Sequence, residues 1–78
     1  MEEVCLSELK PGEHGIIKEL GHHAAIRRRL RDIGFLPGTG IDCLFIAPSG
    51  SPIAFYVKGT VVALRQTDCE CILVDRCE

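Results

Sequence analysis

A chain of 78 residues with a formal net charge of −2 has room for one small domain, and its charge is not that of a general nucleic-acid coat. Its hydrophobic fraction of 46% is too high for disorder, yet Phe35, Phe45, Phe55 and Tyr56 are its only aromatics, so the core must be mostly Ile, Leu and Val, the residues of strands. It has no run of eighteen apolar residues, no secretory n-region after Met1, and an odd count of five cysteines, which together predict a cytosolic protein with reduced thiols.

At the start, Leu6 and Leu9 flank Ser7-Glu8, and Lys10-Pro11-Gly12 makes a turn. The first strand is expected from His14 or Gly15 to Leu20, with Ile16, Lys18 and Leu20 alternating with Ile17 and Glu19 until Gly21 breaks the run. A helix is predicted over about 22–33. Ile26, Leu30 and Ile33 fall at i, i+4 and i+7 and share one face. No Ser, Thr, Asp or Asn precedes it, so packing must hold its N-terminus. Its end is better marked: Gly34 accepts positive φ after the last periodic residue, and Pro37 forbids a restart.

Gly38 and Gly40 lead into a strand over 41–47. Ile41, Cys43 and Phe45 are placed on one face and Leu44 and Ile46 on the other, which predicts that a helix or loop covers the outside. Ala47-Pro48-Ser49-Gly50-Ser51-Pro52 is a loop. Ile53, Phe55 and Val57 alternate in the next strand, Lys58-Gly59 forms a hairpin turn, and a strand follows over 61–65. Gln66-Thr67-Asp68 reads as a turn and Glu70 to Asp75 as the last strand, with Ile72 and Val74 inward and Arg76-Cys77-Glu78 frayed. Five short strands and one inserted helix make a mainly β chain, one domain over 1–78, expected to close into a small barrel without sheet edges.

In this order and at these spacings the pieces resemble the FeoA family, the small cytosolic partner of the bacterial ferrous iron transporter FeoB. The resemblance runs from Leu6-Ser7-Glu8-Leu9-Lys10-Pro11-Gly12 through Gly15-Ile16-Ile17. Its strongest part is Arg29-Leu30-Arg31-Asp32-Ile33-Gly34-Phe35-Leu36-Pro37-Gly38-Thr39, and it continues through Ala47 to Ile53, Ala63-Leu64-Arg65 and Ile72-Leu73-Val74. It implies an SH3-like barrel with a helix in the first long connection. It also implies an accessory or regulatory role in ferrous iron uptake, docking on the cytosolic part of a FeoB-like membrane GTPase, with no membrane span of its own, peripheral at the membrane's inner face through that partner. Ser51 stands where the family often has Asp, and Cys69 where it often has Ala.

Segment 22–33 carries a charge of +3, leaving −5 for the remainder, which fits one basic patch facing an acidic partner. Arg27, Arg28 and Arg31 point away from the apolar stripe. They read either as a solvated face or as that patch, toward a protein or anionic headgroups. Arg29, at the stripe's edge, is expected to donate to turn carbonyls. Phe35 and Leu36, in a Gly-bounded turn, and the stiff loop residues Pro48, Ser49, Gly50 and Ser51 complete the candidate partner surface, against the plainer reading of a core plug and a simple connection.

Cys69 and Cys71 are expected two apart on one strand face. With Cys77 or Cys5 as a further thiol, and with His22 and His23, they are the candidate ligands for Fe2+ or Zn2+, although no Cys-x-x-Cys spacing is present and adjacent histidines diverge on a helix. Surface histidines and core or frayed cysteines are the simpler reading, and Cys43 reads as core. No cofactor is required by any motif. No catalytic constellation appears: Ser7, Ser49 and Ser51 lie in no Gly-x-Ser-x-Gly turn and no phosphate loop exists, so no enzyme is expected. The alternative to an accessory protein is a small metal carrier or sensor, and any self-association is expected to be weak.

Overall fold

The computed structural model describes residues 2–21 and 23–77. Six strands form one antiparallel sheet: β1 (Glu2–Cys5), β2 (His14–Glu19), β3 (Gly40–Ile46), β4 (Ile53–Val57), β5 (Thr60–Leu64) and β6 (Leu73–Cys77), in the order β1-β6-β2-β3-β4-β5. The helix α1 spans Ala24–Asp32 and a short α2 spans Gln66–Cys69. This is the mainly β, SH3-like architecture expected, with one strand more. β1 has no apolar alternation of its own. It exists because Val4 sits opposite Val74 and Cys5 opposite Leu73 on β6, a pairing that no local pattern announces.

The C-terminus of α1 sets the core. Gly34, at φ +101°, donates its N–H to the Arg31 carbonyl, and Phe35 donates to the Leu30 carbonyl at 2.8 Å. These two bonds and the αL glycine are a Schellman cap, and its usual apolar contact is supplied by Leu30 and Phe35, both fully buried. Phe35 then meets Phe55 edge to face, with ring centroids 6.3 Å apart. Around this pair pack Leu6, Ile17, Ile41, Ile53 and Val74. At the other end, His23 caps α1 without a side-chain bond, as the sequence requires. Ile26 is partly buried, but Ile33 is exposed, so the expected stripe buries only its first two-thirds.

Four expectations change. The sheet order is open, so β1 and β5 are edges; among the described residues no hydrogen-bonded seam joins them. The register shifts between Cys43 and Phe45 on β3, and this bulge reverses the side-chain alternation. Cys43 stays buried while Phe45 is 57% exposed, and Leu44 and Ile46 are exposed too, with no helix or loop covering them. Residues 66–69 are helical rather than a turn, which delays the last strand to Leu73. Arg76 and Cys77 are held in β6, Arg76 through ion pairs with Glu2 and Glu13, so the chain is not frayed there; Glu78 lies outside the described residues.

Candidate functional site

The nine residues of α1 carry four arginines, and 100° per residue divides them between two environments. Arg27, Arg28 and Arg31 are exposed, and none forms an ion pair among the described residues. Arg27 and Arg31 border an open groove of about 330 Å³, whose other wall is Lys18 and Glu19 at the end of β2 and Leu20 and Gly21 just after it, with Pro37 at one end. Lys18 is bound to Glu3, which raises its affinity for a proton. The groove therefore presents two guanidinium groups that form no ion pair among the described residues, beside one neutralised ammonium and the exposed carboxylate of Glu19.

Arg29 faces the other way. It does not reach turn carbonyls; its Nη2 donates to Asp68 Oδ2 at 3.3 Å, and Arg65 Nε donates to the same oxygen at 3.3 Å. The Asp68 side chain is 7% exposed. A carboxylate this enclosed needs a counter-charge, and here it has two, from α1 and from the end of β5. No local pattern announces this clamp, because Arg29 and Asp68 lie 39 positions apart; the sole local hint is the i,i+3 spacing of Arg65 and Asp68.

The turn and the loop separate into exposed and internal parts. Leu36 is exposed and available to a partner, whereas Phe35 is enclosed by the core and offers no surface, which corrects its place among the contact residues. In the loop, Pro48 and Ser49 are exposed, and Gly50 and Ser51 are half-buried. Ser49 Oγ donates to the Ser51 carbonyl at 2.9 Å, and Ser51 Oγ accepts the Gln66 N–H at 3.1 Å. Ser51 thereby satisfies a donor of the first turn of α2, an end that Arg65 caps without a side-chain bond. Loop, α2 and α1 are thus linked in series through Ser51, Asp68 and Arg29.

The thiols are dispersed. Cys69 is fully buried at the end of α2, where burial, with the Asp68 charge second, pushes its pKa up to about 12. Cys71 lies half-buried in the following turn and donates to the Thr67 carbonyl at 3.7 Å. No strand runs through 69–71, so the expected shared face does not exist there. Cys77 is half-buried on β6, and Cys43 is buried with its pKa raised by the same desolvation. His23 is exposed at the N-cap of α1, and His22 lies outside the described residues. His14, by contrast, contacts Asp42 through Nδ1 at 2.7 Å. Among the described residues, no three His, Cys, Asp or Glu gather as a metal site. Nor is any helix among them long and apolar enough to cross a membrane.

Residues 4–76 match the model of the FeoA domain family. The chain is similar to a crystal structure of an iron uptake regulatory protein, FeoA, with 29% identity, TM-score 0.90, and 97% of this chain and 100% of that one covered. It is similar to the FeoA protein of Chlorobium tepidum, with 35% identity, TM-score 0.87, and 92% and 69% covered. It is also similar to Stenotrophomonas maltophilia FeoA, a prokaryotic SH3-domain protein crystallised with zinc, with 33% identity, TM-score 0.81, and 92% and 89% covered. No curated protein sequence matches the chain significantly.

Proposed function

The chain belongs to the FeoA family, associated with ferrous iron transport, and from that premise we propose that it is a non-catalytic cytosolic accessory protein that docks on the cytosolic part of a FeoB-like membrane GTPase. The observation that carries this reading is the unpaired Arg27–Arg28–Arg31 face. Elsewhere on the chain Lys18, Arg29, Arg65 and Arg76 each have an acidic partner, and the two other basic side chains without an ion pair among the described residues, Lys10 and Lys58, stand singly. Three guanidiniums on one short helix in a chain of net charge −2 are therefore a localised feature, suited to an acidic surface and to faster encounter with it. Leu36, at the end of the same helix, supplies an apolar contact, and the exposed Pro48–Ser49 tip adds a rigid loop contact.

Binding of the purified chain to the cytosolic GTPase part of a FeoB-like transporter, with and without guanine nucleotide and Fe2+, tests this. Binding in at least one state is expected, weakened when Arg27, Arg28 and Arg31 are changed together to Gln. Absence of binding in every state rejects the reading.

A further inference from the structure

The sheet has two edges, and they are treated differently. β1 carries Glu2 and Glu3, bound to Arg76 and Lys18, so a charged border guards that edge. β5 is Thr-Val-Val-Ala-Leu, with no charge along its length. The two-residue turn Lys58–Gly59 makes Val57–Thr60 a hydrogen-bonded pair, and alternation makes Phe55–Val62 and Ile53–Leu64 the next ones. Val61 and Ala63 therefore turn their N–H and C=O groups toward the open edge. Val61 is 60% exposed and Ala63 is exposed as well.

Beside this edge lies a recess of about 350 Å³ between the end of α1 and β5, lined by Ile33, Val62, Ala63 and Leu64. Arg29 and Arg65 stand at its margin. They share the single carboxylate of Asp68, so the margin carries a net charge of +1. Each guanidinium has five N–H donors and uses one on Asp68, which leaves donors for a second anion. Lys58 sits at the opposite end of the strand.

We propose that β5 and this recess form a peptide-docking site: an extended partner segment adds as a strand to β5, places an apolar side chain against Ile33 and Val62, and ends in a carboxylate held by Arg29 and Arg65. The charge of the margin selects the occupant. A second copy of this chain is disfavoured, because antiparallel pairing about Val62 would set Arg65 of one chain beside Lys58–Gly59 of the other, positive against positive. The site is separate from the Arg27–Arg28–Arg31 face and does not depend on which protein supplies the segment.

The test uses the isolated chain and a probe peptide of alternating valine and threonine flanked by glutamates. Isotope-labelled amide spectra are expected to shift at 60–65 and at Ile33 on titration. The same peptide methylated on alternate backbone nitrogens, or flanked by lysines, should bind about tenfold more weakly or not at all. Ala63→Pro removes only an outward N–H and should weaken binding while the spectrum stays folded; Arg65→Gln should do so for the glutamate probe and not for a serine-flanked one. No saturable shift, shifts centred elsewhere, equal binding of the lysine peptide, or concentration-dependent self-association through β5 that the probe does not reverse would each overturn the proposal.

Discussion

Arg28 and Arg29 are neighbours on one helix, and they do different work. Arg29 lies against the side that α2 approaches and helps neutralise the buried Asp68, whereas Arg28, with Arg27 and Arg31, faces water and forms no ion pair among the described residues. Counting charges along α1 would treat the four alike. What separates them is whether the fold delivers a desolvated counter-charge to that side of the helix, since an enclosed carboxylate must be paired and an exposed guanidinium need not be.

The inward side of α1 should be where substitutions act on stability. Leu30→Ala empties a fully enclosed position under the Schellman cap and should cost roughly 2–5 kcal/mol in urea denaturation. A loss below about 1 kcal/mol would mean that α1 does not anchor the core. Changing Arg29 and Arg65 together to Gln leaves Asp68 enclosed without a cation. The cost should be roughly 2–3 kcal/mol, below that of a fully buried pair because both arginines are half or more exposed to water. Either single change should cost much less, since one partner remains. Equal losses for single and double variants would dissolve the contrast between Arg29 and its neighbours.

The same enclosure acts on Cys69. The unfolded thiol ionises near its ordinary value of 9.0, whereas the folded one holds its proton to about 12. The unfolded state therefore binds fewer protons in that window, and stability should fall as pH rises through it by about 1.4 kcal/mol per unit. Cys43, shifted in the same direction, adds to the fall. Urea midpoints measured against pH should show a shallower fall for Cys69→Ala; an unchanged slope would place the effect elsewhere. Smallest in stability is the outer face. Arg27, Arg28 and Arg31 changed together to Gln should alter unfolding by less than about 0.5 kcal/mol while lowering affinity for the GTPase part. A large destabilisation would make these arginines structural after all.

Much of the architecture was legible where the causes are local. The end of α1 could be read from Ile33-Gly34-Phe35 because its cap closes within a few residues. The alternation of Ile53, Phe55 and Val57, the Lys58–Gly59 hairpin and the burial of Cys43 could be read for the same reason. The exposed basic face also follows from periodicity. Where one residue inserted into a ladder changes everything after it, the pattern misleads: the shift after Cys43 turned Phe45 outward against its apolar character.

By itself, then, the amino-acid order determined the long helix and the strands that alternate locally, where that helix must stop, and which of its sides is charged. Only the tertiary structure decided that Glu2–Cys5 is a strand, that 66–69 is helical, that Arg29 belongs to Asp68, that Ser51 accepts the Gln66 N–H, and that β5 is left as an uncharged open edge. The physical reason is the range of the forces. Dihedral preferences and capping bonds act within a turn of chain, while desolvation and strand pairing depend on what distant residues bring alongside.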